Sequence, residues 1–169
     1  DTTAKDAEAK IKGLLDQGMK ALVLDLRWNP GGLLSASKEA CELFLPEGSL
    51  VTYTRGRGSE DGAPGKDDMR LSTTRQPIMP SDIPIIILTN GETASSAEIV
   101  TGALQFHQRA IVVGDKTFGK GSVQTVIPLQ KPENSALRLT TALYYTPADV
   151  TIDHQGILPD VEAPMTREQ

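Results

Sequence analysis

Cysteine, histidine and tryptophan are scarce in this 169-residue chain, with one, two and one copies. Each scarcity excludes something. Cys41 alone has no partner for an internal disulfide, and its amphipathic setting, Ser37 to Phe44, reads as that of a small buried apolar residue rather than a reactive thiol. No HExxH pattern, paired cysteines or cluster of histidine with carboxylates occurs, so neither a metal nor any other cofactor is expected. Lysine and arginine are outnumbered by acids, giving a net charge of -5 without runs of one sign. That balance argues against nucleic acid and anionic membrane surfaces, both of which favour a basic face. No apolar stretch approaches the ~20 residues needed to span a bilayer, and the start of the chain lacks a leader pattern.

What is present is an alternation. Thr3 and Asp6 resemble a capping box, and apolar residues at 7, 11, 14, 15 and 19 predict a helix over about 4–17, stopped at Gly18. Ala21 to Leu26 is a nearly continuous apolar run, the pattern of a strand covered on both faces. A glycine loop, Arg27 to Gly32, then leads into helical spacing over 33–45. A strand is expected over 50–55, then a polar, glycine-rich loop over 56–80 with a short strand near 70–72. Residues 84–88 predict another buried strand before a helix over about 94–107, whose 97, 100, 103, 104 and 107 share one side. Further strands are expected over 110–114, 123–129 and 137–145, with a turn at 131–134 and an extended tail over 156–161. Strands alternating with helices imply one α/β domain over 1–169 with a largely parallel sheet, and 38% apolar content suffices for its core. In such sheets chemistry sits in the loops beyond the strand C-termini.

Three glycine- or serine-rich segments follow buried strands: 29–32, 91–96 and 117–122. Ser95 opens a helix, where backbone N–H groups and the helix dipole favour developing negative charge; taken alone, an N-cap serine explains it as well. Lys120 lies between Gly119 and Gly121, which let other backbone approach and would desolvate the ammonium. Desolvation lowers a lysine pKa until a neutral amine accepts a proton from serine, although a solvated loop lysine is the simpler reading of that residue by itself. At strand spacing Lys120, Ser122 and Gln124 share a face, so the Gln124 amide is placed to hold the amine.

Competing readings are weaker. Residues 114–121 nearly spell a phosphate-binding loop, but Gly121 replaces the hydroxyl residue and a strand follows where a helix is required. His107, on a helix face, and His154, in a polar turn, need no place in a serine triad.

Together the segments Leu24 to Gly32, Thr93 to Ile99 and Thr117 to Gln124, with the tail Gly156 to Val161, resemble the C-terminal processing (tail-specific) serine proteases over essentially the whole chain. The resemblance implies a ClpP/crotonase-like α/β fold, with the family's catalytic residues on Ser95, Lys120 and Gln124. Its oxyanion donors fall on the backbone of Ser96 and of Gly31 or Gly32. It also implies protein substrates trimmed near apolar C-termini, bound as an extended strand, and an extracytoplasmic setting. Ser96-Ala97 reverses the family's usual order, which makes Ser96 a competitor of Ser95, and Trp28 stands where a small or polar residue is usual. The PDZ domain common in the family has no counterpart in these residues, so a catalytic core of a longer protein is expected, weak or inactive by itself. Asp25 and Arg27 are expected to form a buried structural ion pair. A non-catalytic peptide-binding module and a crotonase-like acyl-thioester enzyme remain as alternatives on the same fold; the latter normally needs a carboxylate where this chain offers Lys120 and Gln124.

Overall fold

The computed structural model describes residues 2–56, 68–130 and 135–165. Elements run in the order α1 (Thr3–Asp16), β1 (Leu22–Asp25), α2 (Leu34–Cys41), β2 (Leu50–Gly56), β3 (Arg70–Ser72), β4 (Ile85–Thr89), α3 (Ser96–Phe106), β5 (Ile111–Gly114), β6 (Ser122–Pro128), β7 (Ala136–Tyr145) and β8 (Val161–Glu162). The α/β expectation holds, with the strands divided between two four-stranded sheets. One is parallel, in the order β1-β4-β5-β8; the other is antiparallel, in the order β3-β2-β7-β6.

The apolar runs in β1, β4 and β5 make the parallel sheet, and its buried face carries Ile85, Ile87 and Val112. Its other face does not follow the expectation of double coverage. Val23, Ile86 and Ile111 are exposed and stand side by side in register across three strands.

The core gathers Ile85, Ile87 and Val112 with Val51 of β2, Leu104 of α3 and the turn residues Leu43 and Leu45. α3 differs from the expected one-sided helix, being buried from Ala97 through Leu104. Gly102 permits this, since a Cβ there would lie 3.0 Å from Ile157 and 3.1 Å from Thr146.

Three further expectations change. α1 has Thr2 as its N-cap without a side-chain cap bond, in place of the Thr3–Asp6 box. α2 ends at Cys41, because Glu42 turns its carboxylate to Lys38 and Thr74 while the next three residues drop into the core. Of the loop expected over 56–80, residues 57–67 lie outside the described residues. The segment after β3 is pinned: Arg75 bonds Glu8, Met79 donates to the Leu43 carbonyl, and the Met79 side chain is buried. The expected turn at 131–134 also lies outside the described residues. Cys41 is fully buried, and burial pushes its thiol pKa far up, as an inert packing residue requires.

Candidate active site

The parallel strands deliver three loops to one place. After β1, Thr93 Oγ1 donates to the Leu26 carbonyl at 2.8 Å, and Ala94 N–H donates to the Asn29 carbonyl at 2.9 Å. Asn90, following β4, accepts from Trp28 N–H at 2.9 Å and from Glu92 N–H at 3.1 Å through one side-chain oxygen. Beyond β5, Phe118 N–H reaches the Thr93 carbonyl at 2.9 Å. Each loop is thus tied to its neighbour by bonds a solvated loop would give to water.

Glu98 joins the second loop to the third. Its carboxylate is fully buried on the first turn of α3 and accepts four hydrogen bonds. One oxygen takes the Thr117 hydroxyl at 2.6 Å and Gly119 N–H at 2.7 Å; the other takes Ser95 N–H and Lys120 N–H, each at 2.8 Å. The main chains of Ser95 and Lys120 therefore meet on a single atom. Reading the sequence assigned Glu98 no role. The signal was nonetheless there, since Ser95 followed three residues later by Glu98 is the S-x-x-E pattern of a helix start, whose glutamate turns back to the N-cap N–H.

Ser95 itself is half-buried and held at φ 57°, ψ -123°, a conformation rare for a residue with a Cβ. Such a geometry costs on the order of 1–3 kcal/mol and persists only where the surroundings enforce it. Here Glu98 fixes its N–H, while its carbonyl accepts from Glu98 N–H at 2.9 Å and Ile99 N–H at 3.1 Å. Gly31 closes the other side. At φ 88°, a Cβ there would stand 2.6 Å from the Ala94 carbonyl oxygen and 2.8 Å from both Ser95 Cβ and Ser96 N, so only glycine fits.

The backbone donors near Ser95 sort themselves. Gly31 N–H is engaged with Asn29 Oδ1 at 2.9 Å. Among the described residues no acceptor takes the N–H of Gly32 or of Ser96, the latter being the first residue of α3. Those two are the groups available to an oxyanion.

The glycines around Lys120 do admit backbone, as their spacing suggested. A Cβ on Gly119 would meet Gly156 N at 3.1 Å, and one on Gly121 would overlap the Asp153 backbone. The side chain behaves otherwise. Lys120 is exposed, so these residues do not supply the desolvation inferred from its flanking glycines, because the crowding falls on the main chain. Gln124 is exposed as well and sits beside a register shift between β6 and β7.

Asp25 and Arg27 form the expected ion pair at 2.6 Å, but both are partly solvated rather than buried, being at the end of an edge strand. The hydrogen bond from Arg27 lowers the Asp25 pKa. Trp28 is exposed at φ 57°, with the Arg27 guanidinium 5.3 Å from its ring centre. His107 closes α3 with its ring 2.8 Å from the Leu50 carbonyl, whereas His154 bonds the third loop through its backbone, its N–H donating to the Gly119 carbonyl at 2.8 Å, and leaves its ring on the surface. Among the described residues no group of histidines, cysteines and carboxylates could hold a metal.

A strained serine at a helix entry, a buried carboxylate tying it to a lysine loop and open N–H groups beside it meet at the strand ends of an α/β fold. Comparison with known proteins gives the family. The model of peptidase family S41 matches residues 1–163, and the chain belongs to that family. It is 47% identical over 165 residues to a carboxy-terminal-processing protease of Bartonella bacilliformis, covering 95% of this chain and 36% of that protein. It is 39% identical over 156 residues to the chloroplastic carboxyl-terminal-processing peptidase 1 of Arabidopsis thaliana, covering 92% and 30%. A solved photosystem II D1 C-terminal processing protease superposes with a TM-score of 0.84 at 33% identity, covering 97% of this chain and 40% of that one. The chain spans about a third of the length of the curated relatives it matches.

Proposed function

We propose that residues 1–169 are the catalytic core of a serine endopeptidase that cleaves proteins near their C-termini, with Ser95 as nucleophile and Lys120 as base. The observation that carries this reading is the shared Glu98 oxygen, which brings the main chains of the two residues together without using either side chain. The neutral Lys120 amine takes the Ser95 proton as Oγ attacks the scissile carbonyl, and Gly32 N–H and Ser96 N–H hold the resulting oxyanion. The ammonium then returns that proton to the leaving amine, which departs as the acyl-enzyme forms. Water, deprotonated by the same amine, releases the acid. The Gln124 amide orients the Lys120 amine without adding charge. Because Lys120 is exposed, a substrate lying as an extended strand across the loops supplies the desolvation that an uncharged amine requires. An extracytoplasmic or organellar setting follows from family likeness, one relative being chloroplastic by name.

The test is activity of the full-length protein on a protein with an apolar C-terminus. Ser95→Ala and Lys120→Ala each abolish cleavage while leaving the melting temperature within a few degrees of wild type. Cleavage surviving in either variant defeats the dyad, and loss confined to Ser96→Ala moves the nucleophile one position.

A further inference from the structure

The segment over 152–157 packs against the lysine loop and grips it at several points. Ile152 and Ile157 are buried, and the chain turns between them with Gly156 N–H on the Ile152 carbonyl at 2.9 Å. Gly156, at φ 65°, rests on Thr117, since a Cβ there would stand 2.4 Å from the Thr117 carbonyl oxygen. Further along the loop, His154 N–H donates to the Gly119 carbonyl at 2.8 Å, and Tyr144 N–H of β7 donates to the Gly121 carbonyl at 2.7 Å. Lys120 is therefore held by the carbonyl before it, the carbonyl after it and, through Glu98, its own N–H.

Thr117, itself buried, is where this segment meets the Glu98 clamp. Its N–H donates to the Ile157 carbonyl at 3.1 Å, and its hydroxyl oxygen accepts from Ile157 N–H at 2.7 Å. The same hydroxyl donates its proton to Glu98 at 2.6 Å. Both directions are fixed, since an N–H can only donate and a carboxylate can only accept. A buried helical hydroxyl is satisfied close by, as Thr101 is by the Ala97 carbonyl one turn back at 2.8 Å. Thr117 instead joins residues 19 positions before it and 40 after it. We infer that Thr117 is a positioning residue for catalysis: its hydroxyl bridges Ile157 N–H to the Glu98 carboxylate and so sets the orientation in which Glu98 aligns Ser95 with Lys120. The inference rests on the peptidase reading above. Bonds in such a chain polarise one another, so losing the bridge weakens the hold of Glu98 on its remaining donors.

Kinetics of the full-length protein on a protein substrate provide the test. Thr117→Val keeps the side-chain shape and removes the bridge, leaving Ile157 N–H without its acceptor and Glu98 with three donors. It lowers kcat about tenfold or more while KM stays within about twofold, because alignment of the reacting groups is lost and no substrate contact is touched. Thr117→Ser retains the hydroxyl and restores kcat to within about threefold of wild type. Thr117→Ala is a second variant without the hydroxyl in case valine misfits, and melting curves identify which of them fold. A loss as large in the serine variant as in the valine one, a rise in KM in place of a fall in kcat, or wild-type kcat in a folded valine or alanine variant overturns the assignment alone. Failure of both hydroxyl-free variants to fold overturns it too, by making the hydroxyl a requirement of the fold. A wild type that cleaves nothing overturns the peptidase reading and the role of Thr117 with it.

Discussion

The loops of the parallel sheet and the hairpin of the antiparallel sheet build the site in different ways. Around Ser95 the loops are bonded to one another and to Glu98, over a core of Ile87, Val112 and Leu104. Lys120 instead stands at the root of β6, in a hairpin where Val126, Ile127, Leu137 and Leu139 are all exposed. The contrast separates two requirements of catalysis. Alignment of backbone is preorganised within the chain, through Glu98, whereas on the proposed mechanism the dry surroundings of the exposed lysine amine would have to come from the bound substrate.

Breaking the clamp gives the largest expected effect. In Glu98→Gln the amide nitrogen cannot accept, so two of the four donors now on the carboxylate face an NH2 group in a buried setting. Peptidase activity of the full-length protein falls about 100-fold, since a displacement of about 1 Å at reacting groups has that effect. Stability falls by about 2–3 kcal/mol from the stranded donors, measured by denaturant unfolding. Wild-type activity in this variant would remove Glu98 from the account.

The two regions also differ in what a truncation costs. Leu104→Ala in the buried face of α3 lowers stability by about 2–5 kcal/mol through cavity formation. Val126→Ala in the hairpin shifts it by no more than about 0.5 kcal/mol. Equal losses at both positions would mean that the hairpin packs against something in the folded protein.

A smaller effect than the loss of Leu104 concerns acid. Burial by itself raises the pKa of Glu42, but the hydrogen bonds from Lys38 and Thr74 outweigh it and hold the carboxyl below its ordinary value. A depressed carboxylate stabilises the fold fully above its unfolded pKa, and that contribution is lost as pH falls through the lower folded value. Glu42→Gln therefore flattens the acid side of the stability curve and lowers stability near neutral pH by about 1 kcal/mol. A variant whose acid limb parallels wild type would exclude Glu42 as a contributor.

Much of this arrangement is legible in the residues. Apolar runs and glycine loops placed every strand that carries the site, because a buried strand and its turn leave strong local patterns. The three loops were identified for the same reason, but Gly31 was read as a possible oxyanion donor, and only the fold shows that its N–H is held by Asn29 and that crowding at Ser95 requires glycine there. What could not be read was non-local. Glu98 looks like an ordinary helix-start acid until the fold brings Gly119 and Lys120 to it, 21 and 22 residues further on. The exposure of Lys120 was missed because flanking glycines report space for backbone, not for the side chain between them. The open face of β1 was missed because a continuous apolar run does not say what covers it.

The most direct test treats the full-length protein with a fluorophosphonate and maps the adduct by mass spectrometry, in wild type and in Lys120→Ala. The adduct is expected on Ser95, with a labelling rate at least 100-fold lower when the amine is absent. An adduct on Ser96, or equal labelling rates in the two proteins, would contradict the assignment of Ser95 as a nucleophile activated by Lys120.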